Sequence, residues 1–189
     1  MTTIVVVRKG GTAVIAADSL TTFGTTRLAP AYDRSPHKVL QYHDSFIGVA
    51  GSAAHQLVLE NILERNASLD FAGRPAIYET FRKLHPVLKD EAFLNPKEEE
   101  DDPYESSQMT VMVANPSGIF ALYSMREVFE FDRFWAIGSG RDFALGAMYS
   151  VYNRAKSAAA VAEAGVVAGA EFDTGTALPI NLHEVALRA

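Results

Sequence analysis

Thr2-Thr3-Ile4-Val5-Val6-Val7-Arg8-Lys9-Gly10-Gly11-Thr12-Ala13-Val14-Ile15-Ala16-Ala17 is the segment on which the fold turns. Its two apolar runs do not alternate with polar residues, so each reads as a strand covered on both faces. Gly10-Gly11 between them is a hairpin signal. The segment therefore predicts a β-hairpin in the interior of the molecule. Its first residue has a second reading. If Met1 is removed, Thr2 carries a hydroxyl and a free α-amine, a nucleophile that holds its own base. Threonine also begins strands with no chemistry attached, so the rest of the chain must decide.

Outward from this hairpin, Lys38 to Tyr42 and Ser45 to Ala50 read as strands separated by His43-Asp44. Gly51-Ser52 opens a helix in which Ala54, Val58 and Ile62 recur at four-residue spacing, and a second helix carries Ile77, Phe81, Leu84 and Leu88, with Pro86 kinking or ending it. Strands resume over Gln108 to Ala114, Gly118 to Tyr123, Glu127 to Phe131 and Phe134 to Ile137. Arg141 to Lys156 places Phe143, Ala147, Met148, Val151 and Tyr152 on one stripe. Ser157 to Ala170 is Ala-rich, with Gly165 and Gly169 small enough to let a helix approach its neighbour closely. A last strand is expected within Ile180 to Leu187. Strands, a helix pair, strands and another helix pair imply an α+β protein with sheets stacked face to face and helices outside. No linker or repeat interrupts residues 1–189, so one domain is expected. The acidic run Glu98-Glu99-Glu100-Asp101-Asp102 repels itself and reads as a solvated loop, or as a segment guarding an entrance.

Composition removes several function classes. The chain has 189 residues, 48% of them hydrophobic and 21% charged, as expected of a folded protein. Its formal charge of −6, without clustered Lys or Arg, argues against a nucleic-acid partner. No apolar run approaches the ~20 residues of a membrane-spanning helix. No basic segment leads into an apolar stretch of roughly 7–15 residues at the N-terminus, so no signal peptide is expected and the location reads as cytoplasmic. Absence of cysteine excludes disulfides and thiolate chemistry. His37, His43, His55, His85 and His183 lack the short spacings of a zinc enzyme, so neither metal nor cofactor is expected. The nucleophile must be Ser, Thr, Lys or a carboxylate.

Thr2, Ala16-Ala17-Asp18-Ser19, Lys38-Val39, Gly48-Val49-Ala50-Gly51-Ser52-Ala53-Ala54 and Ala136-Ile137-Gly138-Ser139-Gly140 occur in that order. Each block is weak alone, but the ordered set resembles the proteasome β-subunit superfamily of N-terminal threonine hydrolases. It is especially similar to bacterial HslV-type proteases and the betaproteobacterial proteasome homologue. The resemblance implies a four-layer αββα sandwich of the N-terminal nucleophile hydrolase type. Thr2 would be the nucleophile, and its amine, with a reference pKa of about 7.7–8.0, the proton shuttle. Lys38 would favour the alkoxide-like form of the hydroxyl, Asp18 would hold Lys38, and the Gly51 N–H would stabilise an oxyanion. Ser139 would hydrogen-bond the threonine amine. Its partner in the family is an aspartate three residues before a Ser or Thr and a Gly. Here Glu171, with Thr174 and Gly175 behind it, stands at that position, unless the register shifts so that Asp173 serves. A few residues more than HslV has lie between Asp18 and Lys38, to be absorbed in the loop Thr25 to Pro36.

Substrate main chain would lie along the strand around Thr22 and the segment Gly51 to Ala53. Val49 and Ala53 would line a pocket for small or medium apolar side chains. The resemblance further implies a threonine endopeptidase subunit of homo-oligomeric stacked rings, six or seven subunits per ring, enclosing a chamber for peptides or unfolded proteins fed by an ATP-driven unfoldase. Two other readings remain: a structural ring subunit with little proteolysis, and a small-molecule amidohydrolase of the same fold.

Overall fold

The computed structural model describes residues 1–96 and 100–188, so Glu98 and Glu99 of the acidic run lie outside the described residues. Along the chain run β1 (Thr3–Lys9), β2 (Thr12–Ala17), the short strands β3 (Thr21–Phe23) and β4 (Thr26–Leu28), β5 (Val39–Tyr42), β6 (Ser45–Ala50), α1 (Ala53–Arg65) and α2 (Arg74–Pro86). There follow β7 (Thr110–Asn115), β8 (Gly118–Leu122), β9 (Val128–Glu130), β10 (Phe134–Gly138), α3 (Arg141–Val151), α4 (Ala158–Phe172) and β11 (Asn181–Ala186).

One sheet has the strand order β10-β1-β2-β11 and a second has β5-β6-β7-β8-β9. In the first, Val5 stands opposite both Ala16 and Ala136, and the β1–β2 turn is the two residues Gly10 and Gly11, whose φ angles are +60° and +78°. Such a turn needs left-handed backbone at both positions, which glycine adopts without penalty.

The uninterrupted apolar character of β1 and β2 has a direct cause. Ile4, Val6 and Ile15 face the second sheet and pack with Met112 and Ile119. Val5, Val7 and Val14 face the other way, onto Met148 of α3 and Val161 and Val166 of α4. On the far side, Leu59 and Ile62 of α1 and Ile77 and Phe81 of α2 cover Ile47, Val111 and Phe120 of the second sheet. The result is the helix–sheet–sheet–helix sandwich expected from the sequence. Burial on both faces of β1 fixes its register, because a one-residue slip would exchange its two packing faces.

Local signals set the helix ends. Ser52 caps α1 by accepting from Ala54 N, and Ser157 caps α4 by accepting from Ala160 N. Pro86 is the last residue of α2, and the chain continues for one wider turn over Val87–Glu91. A Cβ on Gly165 would lie 2.9 Å from Met148 Cγ, and one on Gly169 would lie 2.5 Å from Thr3 Oγ1. The small residues of α4 thus let it sit directly against α3 and the start of β1, and its C-terminus is delivered beside Thr2.

Two elements depart from the sequence reading. The stretch Thr25 to Pro36 is only partly loop: β4 pairs with β3, Thr22 standing opposite Arg27, and Pro30–Tyr32 forms a turn of 3-10 helix. Three-residue strands leave no periodic signal to read. The helix starting at Arg141 stops at Val151 rather than reaching Lys156, because Tyr152 is drawn to the β1 turn: its hydroxyl donates to Arg8 O at 2.7 Å and its carbonyl accepts from Lys9 Nζ at 2.7 Å.

Candidate active site

Thr2 stands one residue before β1 and is 4% exposed. Pairing of Ile4 with Ala17 sets Asp18, the residue after β2, beside Thr3, where Asp18 N donates to Thr3 O at 3.2 Å. The Asp18 carboxylate is fully buried and gathers donors from five places. Oδ1 accepts from Thr2 Oγ1 at 2.6 Å, Lys38 Nζ at 2.8 Å and Thr3 N at 3.0 Å, while Oδ2 accepts from Leu20 N at 3.0 Å and Ala177 N at 3.3 Å.

Lys38, immediately before β5, also donates to Thr2 Oγ1 at 3.0 Å and to Met1 O at 3.5 Å. The hydroxyl therefore lies between an ammonium donor and a carboxylate acceptor. Burial holds the Lys38 proton affinity below its ordinary value, and the Asp18 and Asp173 carboxylates oppose that shift only in part. A lysine so placed stabilises negative charge on the threonine oxygen and gives up its own proton more readily than a solvated one.

On the opposite side Thr2 N donates to Ser139 Oγ at 3.2 Å. Ser139 Oγ donates to Asp173 Oδ2 at 2.7 Å, and Thr176 Oγ1 donates to the same oxygen at 2.6 Å. Thr176 Oγ1 lies 2.8 Å from Thr3 Oγ1. A carboxylate accepts only, so the Ser139 and Thr176 protons are both committed to Asp173. Thr3 must then donate to Thr176, and Ser139 must accept from Thr2 N. Proton direction along the whole row follows from one acceptor.

Of the two carboxylates that the sequence left open, the structure sets Asp173 and not Glu171 beside Ser139. Glu171 is exposed in the last turn of α4, and Thr174 is exposed in the following turn. The carboxylate beside Ser139 belongs to Asp173, the residue at which the backbone leaves the helix (φ −97°, ψ 122°), and its hydroxyl partner is Thr176. Asp173 and Thr176 keep the expected three-residue spacing. Gly175 follows Thr174, whereas Thr176 is followed by Ala177, so the Thr-Gly pair does not mark the hydroxyl that reaches Asp173. Thr3 carried no signal beyond its place next to Thr2.

Gly51 follows β6 with φ +142°, backbone open to glycine, and a Cβ there would lie 3.2 Å from His55 Nδ1. That Nδ1 is the buried side-chain atom left without a partner among the described residues, and burial lowers the His55 pKa, favouring the neutral ring. Of the residues expected along the substrate, Thr22 is half-buried on β3, Val49 is buried with Leu59 and Met109 beneath α1, and Ala53 is exposed at the first residue of α1. Among the described residues no cluster of three or more His, Cys, Asp or Glu could hold a metal ion, and no helix is long and apolar enough to cross a membrane.

A helix–sheet–sheet–helix sandwich with a threonine at the head of its central strand defines the N-terminal nucleophile hydrolase fold of proteasome β-subunits and HslV. Comparison with known proteins narrows this further. The chain is similar to Thiobacillus denitrificans BPH solved in complex with epoxomicin, at 35% identity and a TM-score of 0.92, over 99% of this chain and 100% of that one. A second structure of Thiobacillus denitrificans BPH matches at 39% identity and a TM-score of 0.91, covering 98% of each chain. The chain belongs to this family, the betaproteobacterial proteasome homologues. HslV from Trypanosoma brucei, at 20% identity over 97% of this chain and 99% of that one, shares the fold with a TM-score of 0.73. No family model matches the chain, and no curated protein does.

Proposed function

We propose that this chain is the subunit of a threonine-type endopeptidase that acts once Met1 has been removed from Thr2. The observation that carries the reading is the position of Thr2 Oγ1, 3.0 Å from Lys38 Nζ and 2.6 Å from Asp18 Oδ1, with Thr2 N turned to Ser139.

Removal of Met1 turns Thr2 N from an amide, which has no basic lone pair, into an amine. Thr2 Oγ1 attacks the peptide carbonyl and its proton passes to that amine. The amine then protonates the departing nitrogen as the C–N bond breaks, leaving the acyl group as an ester on Thr2. Water takes the place of the leaving group, gives its proton to the same amine and releases the acid, and the proton returns to Thr2 Oγ1. Lys38 offsets charge on the oxygen, while Ser139 and Asp173 orient the amine. The Gly51 N–H is the proposed oxyanion donor, a contribution of about 2.7–4 kcal/mol in comparable sites.

Similarity to BPH and HslV supports assembly into homo-oligomeric stacked rings of six or seven subunits, with sites facing an enclosed chamber. Such a chamber admits peptides or unfolded protein and would work with an ATP-driven unfoldase in the cytoplasm. The contrasting reading, a latent or structural subunit, is favoured by one feature: with Met1 attached, Lys38 also reaches Met1 O and the base is missing.

Treatment of wild type and Thr2→Ala with a peptide β-lactone, followed by intact mass and peptide-cleavage assays, tests the proposal. Labelling and cleavage by wild type alone are expected. Labelling of both proteins, or of neither in material that has lost Met1, overturns it.

A further inference from the structure

We propose that the cleft on the β10 side of Thr2 binds the leaving-group end of the substrate and selects an aromatic or large apolar residue immediately after the scissile bond. This rests on the acyl-transfer reading of Thr2.

The two sides of Thr2 are chemically distinct. Its hydroxyl faces Asp18 and Lys38 and its nitrogen faces Ser139. A departing amine must take its proton from the Thr2 nitrogen, so the leaving segment exits over the Ser139 side. Topology says where that leads: β1 has β2 on the Asp18 side and β10 on the Ser139 side, Thr3 standing opposite Gly138. β10 is an edge strand, so no further strand of its sheet closes the space beyond it.

A cleft of about 560 Å³ lies there, lined by Gly51, Gly138, Tyr123 and Trp135, with the exposed Arg141 and Asp142 of α3 also on its wall. The same two aromatic residues also line a second hollow of about 510 Å³, with Phe129, Phe131, Ser124 and Glu127. Its floor is built in advance. Trp135 Nε1 donates to Tyr123 OH at 2.8 Å, and the indole stacks on Phe131 with ring centroids 5.1 Å apart. The indole N–H is thereby satisfied, and the two rings present oriented apolar surface to the cleft, suited to another ring or a branched aliphatic group.

Two measurements test the proposal. In wild type, the acyl-enzyme formed from a peptide thioester is intercepted by added phenylalaninamide or glycinamide and the two transfer products are quantified by mass. Phenylalaninamide is expected to be captured roughly tenfold more efficiently, equivalent to about 1.4 kcal/mol, and Trp135→Ala to bring the two within about twofold. Equal capture by wild type overturns the proposal whether or not the variant folds.

The second measurement needs no catalysis. Trp135 is the single tryptophan of the chain, so its emission reports this cleft. In Thr2→Ala, Phe-Ala-amide should change that emission saturably and Gly-Ala-amide should not at tenfold higher concentration. No saturable change with either peptide overturns the proposal. A saturable change without any acyl capture in wild type defeats the peptidase reading of Thr2 and leaves the cleft as an apolar peptide site.

Discussion

Gly169 of α4 lies so close to Thr3 that a Cβ on the glycine would stand 2.5 Å from Thr3 Oγ1 and 3.0 Å from Thr3 Cγ2. The neighbouring groups are fully buried, and Thr3 Oγ1 is bound into the row that ends at Asp173. A methyl group here must push α4 away from β1 and carry the Asp173 turn with it.

Gly169→Ala should therefore destabilise the fold by roughly 1–3 kcal/mol, the usual cost of overpacking a core. Gly146→Ala on α3, where nothing lies within 4 Å of the added methyl, should be neutral or stabilising by up to about 1 kcal/mol. Paired urea titrations decide it, and equal midpoints for the two variants would contradict the packing argument.

Asp173→Ala leaves the Ser139 and Thr176 hydroxyls without their common acceptor, so Ser139 is free to turn its proton toward Thr2 N. Peptidase activity should fall about a hundredfold, within the range of lost acid–base organisation. Glu171→Ala and Thr174→Ala alter exposed side chains and should stay within about twofold of wild type. A large loss in Glu171→Ala would show that Glu171 and not Asp173 serves Ser139.

Lys38→Met removes the cation from a fully buried carboxylate and should cost about 3–5 kcal/mol. The pH dependence has a definite sign. Folding lowers the Lys38 pKa from 10.5, so between the folded value and 10.5 the unfolded chain binds more protons and wild-type stability rises with pH. The stability difference between wild type and Lys38→Met should widen across that window. A difference that is flat or narrows would contradict the burial of a charged Lys38.

A Cβ on Gly175 would stand 2.2 Å from Met1 Cβ, so the initiator residue is seated against this glycine. Gly175→Ala should unseat Met1 and speed its removal by an added methionine aminopeptidase, while leaving thermal stability of the processed protein within about 0.5 kcal/mol of wild type. Intact mass against time measures the first effect and a thermal melt the second. Unchanged processing would show that the Gly175 contact does not shield Met1.

The buried hairpin was legible because double-sided burial writes itself as an unbroken apolar run, and α4 because Gly165 and Gly169 mark close approach. Asp18, Lys38 and Ser139 were legible only through the ordered blocks that resemble proteasome β-subunits, and the structure sets all three within hydrogen-bond distance of Thr2. What escaped reading depends on tertiary turns. The exit from α4 decides whether Glu171 or Asp173 reaches Ser139, and a spacing rule cannot see a helix end to within two residues. β3 and β4 are too short to carry a period. The Trp135–Tyr123 floor joins β10 to the residue after β8, a contact with no local signature.

The five donors to Asp18 come from the head of β1, the segment after β2, the approach to β5 and, at Ala177, the approach to β11, 159 residues further along. Nothing local can build this seat. A nascent chain that has not yet brought Ala177 to Asp18 presents Thr2 without a finished cradle. If Thr2 is the nucleophile proposed above, the long-range closure of the carboxylate makes completion of the fold a precondition for arming it.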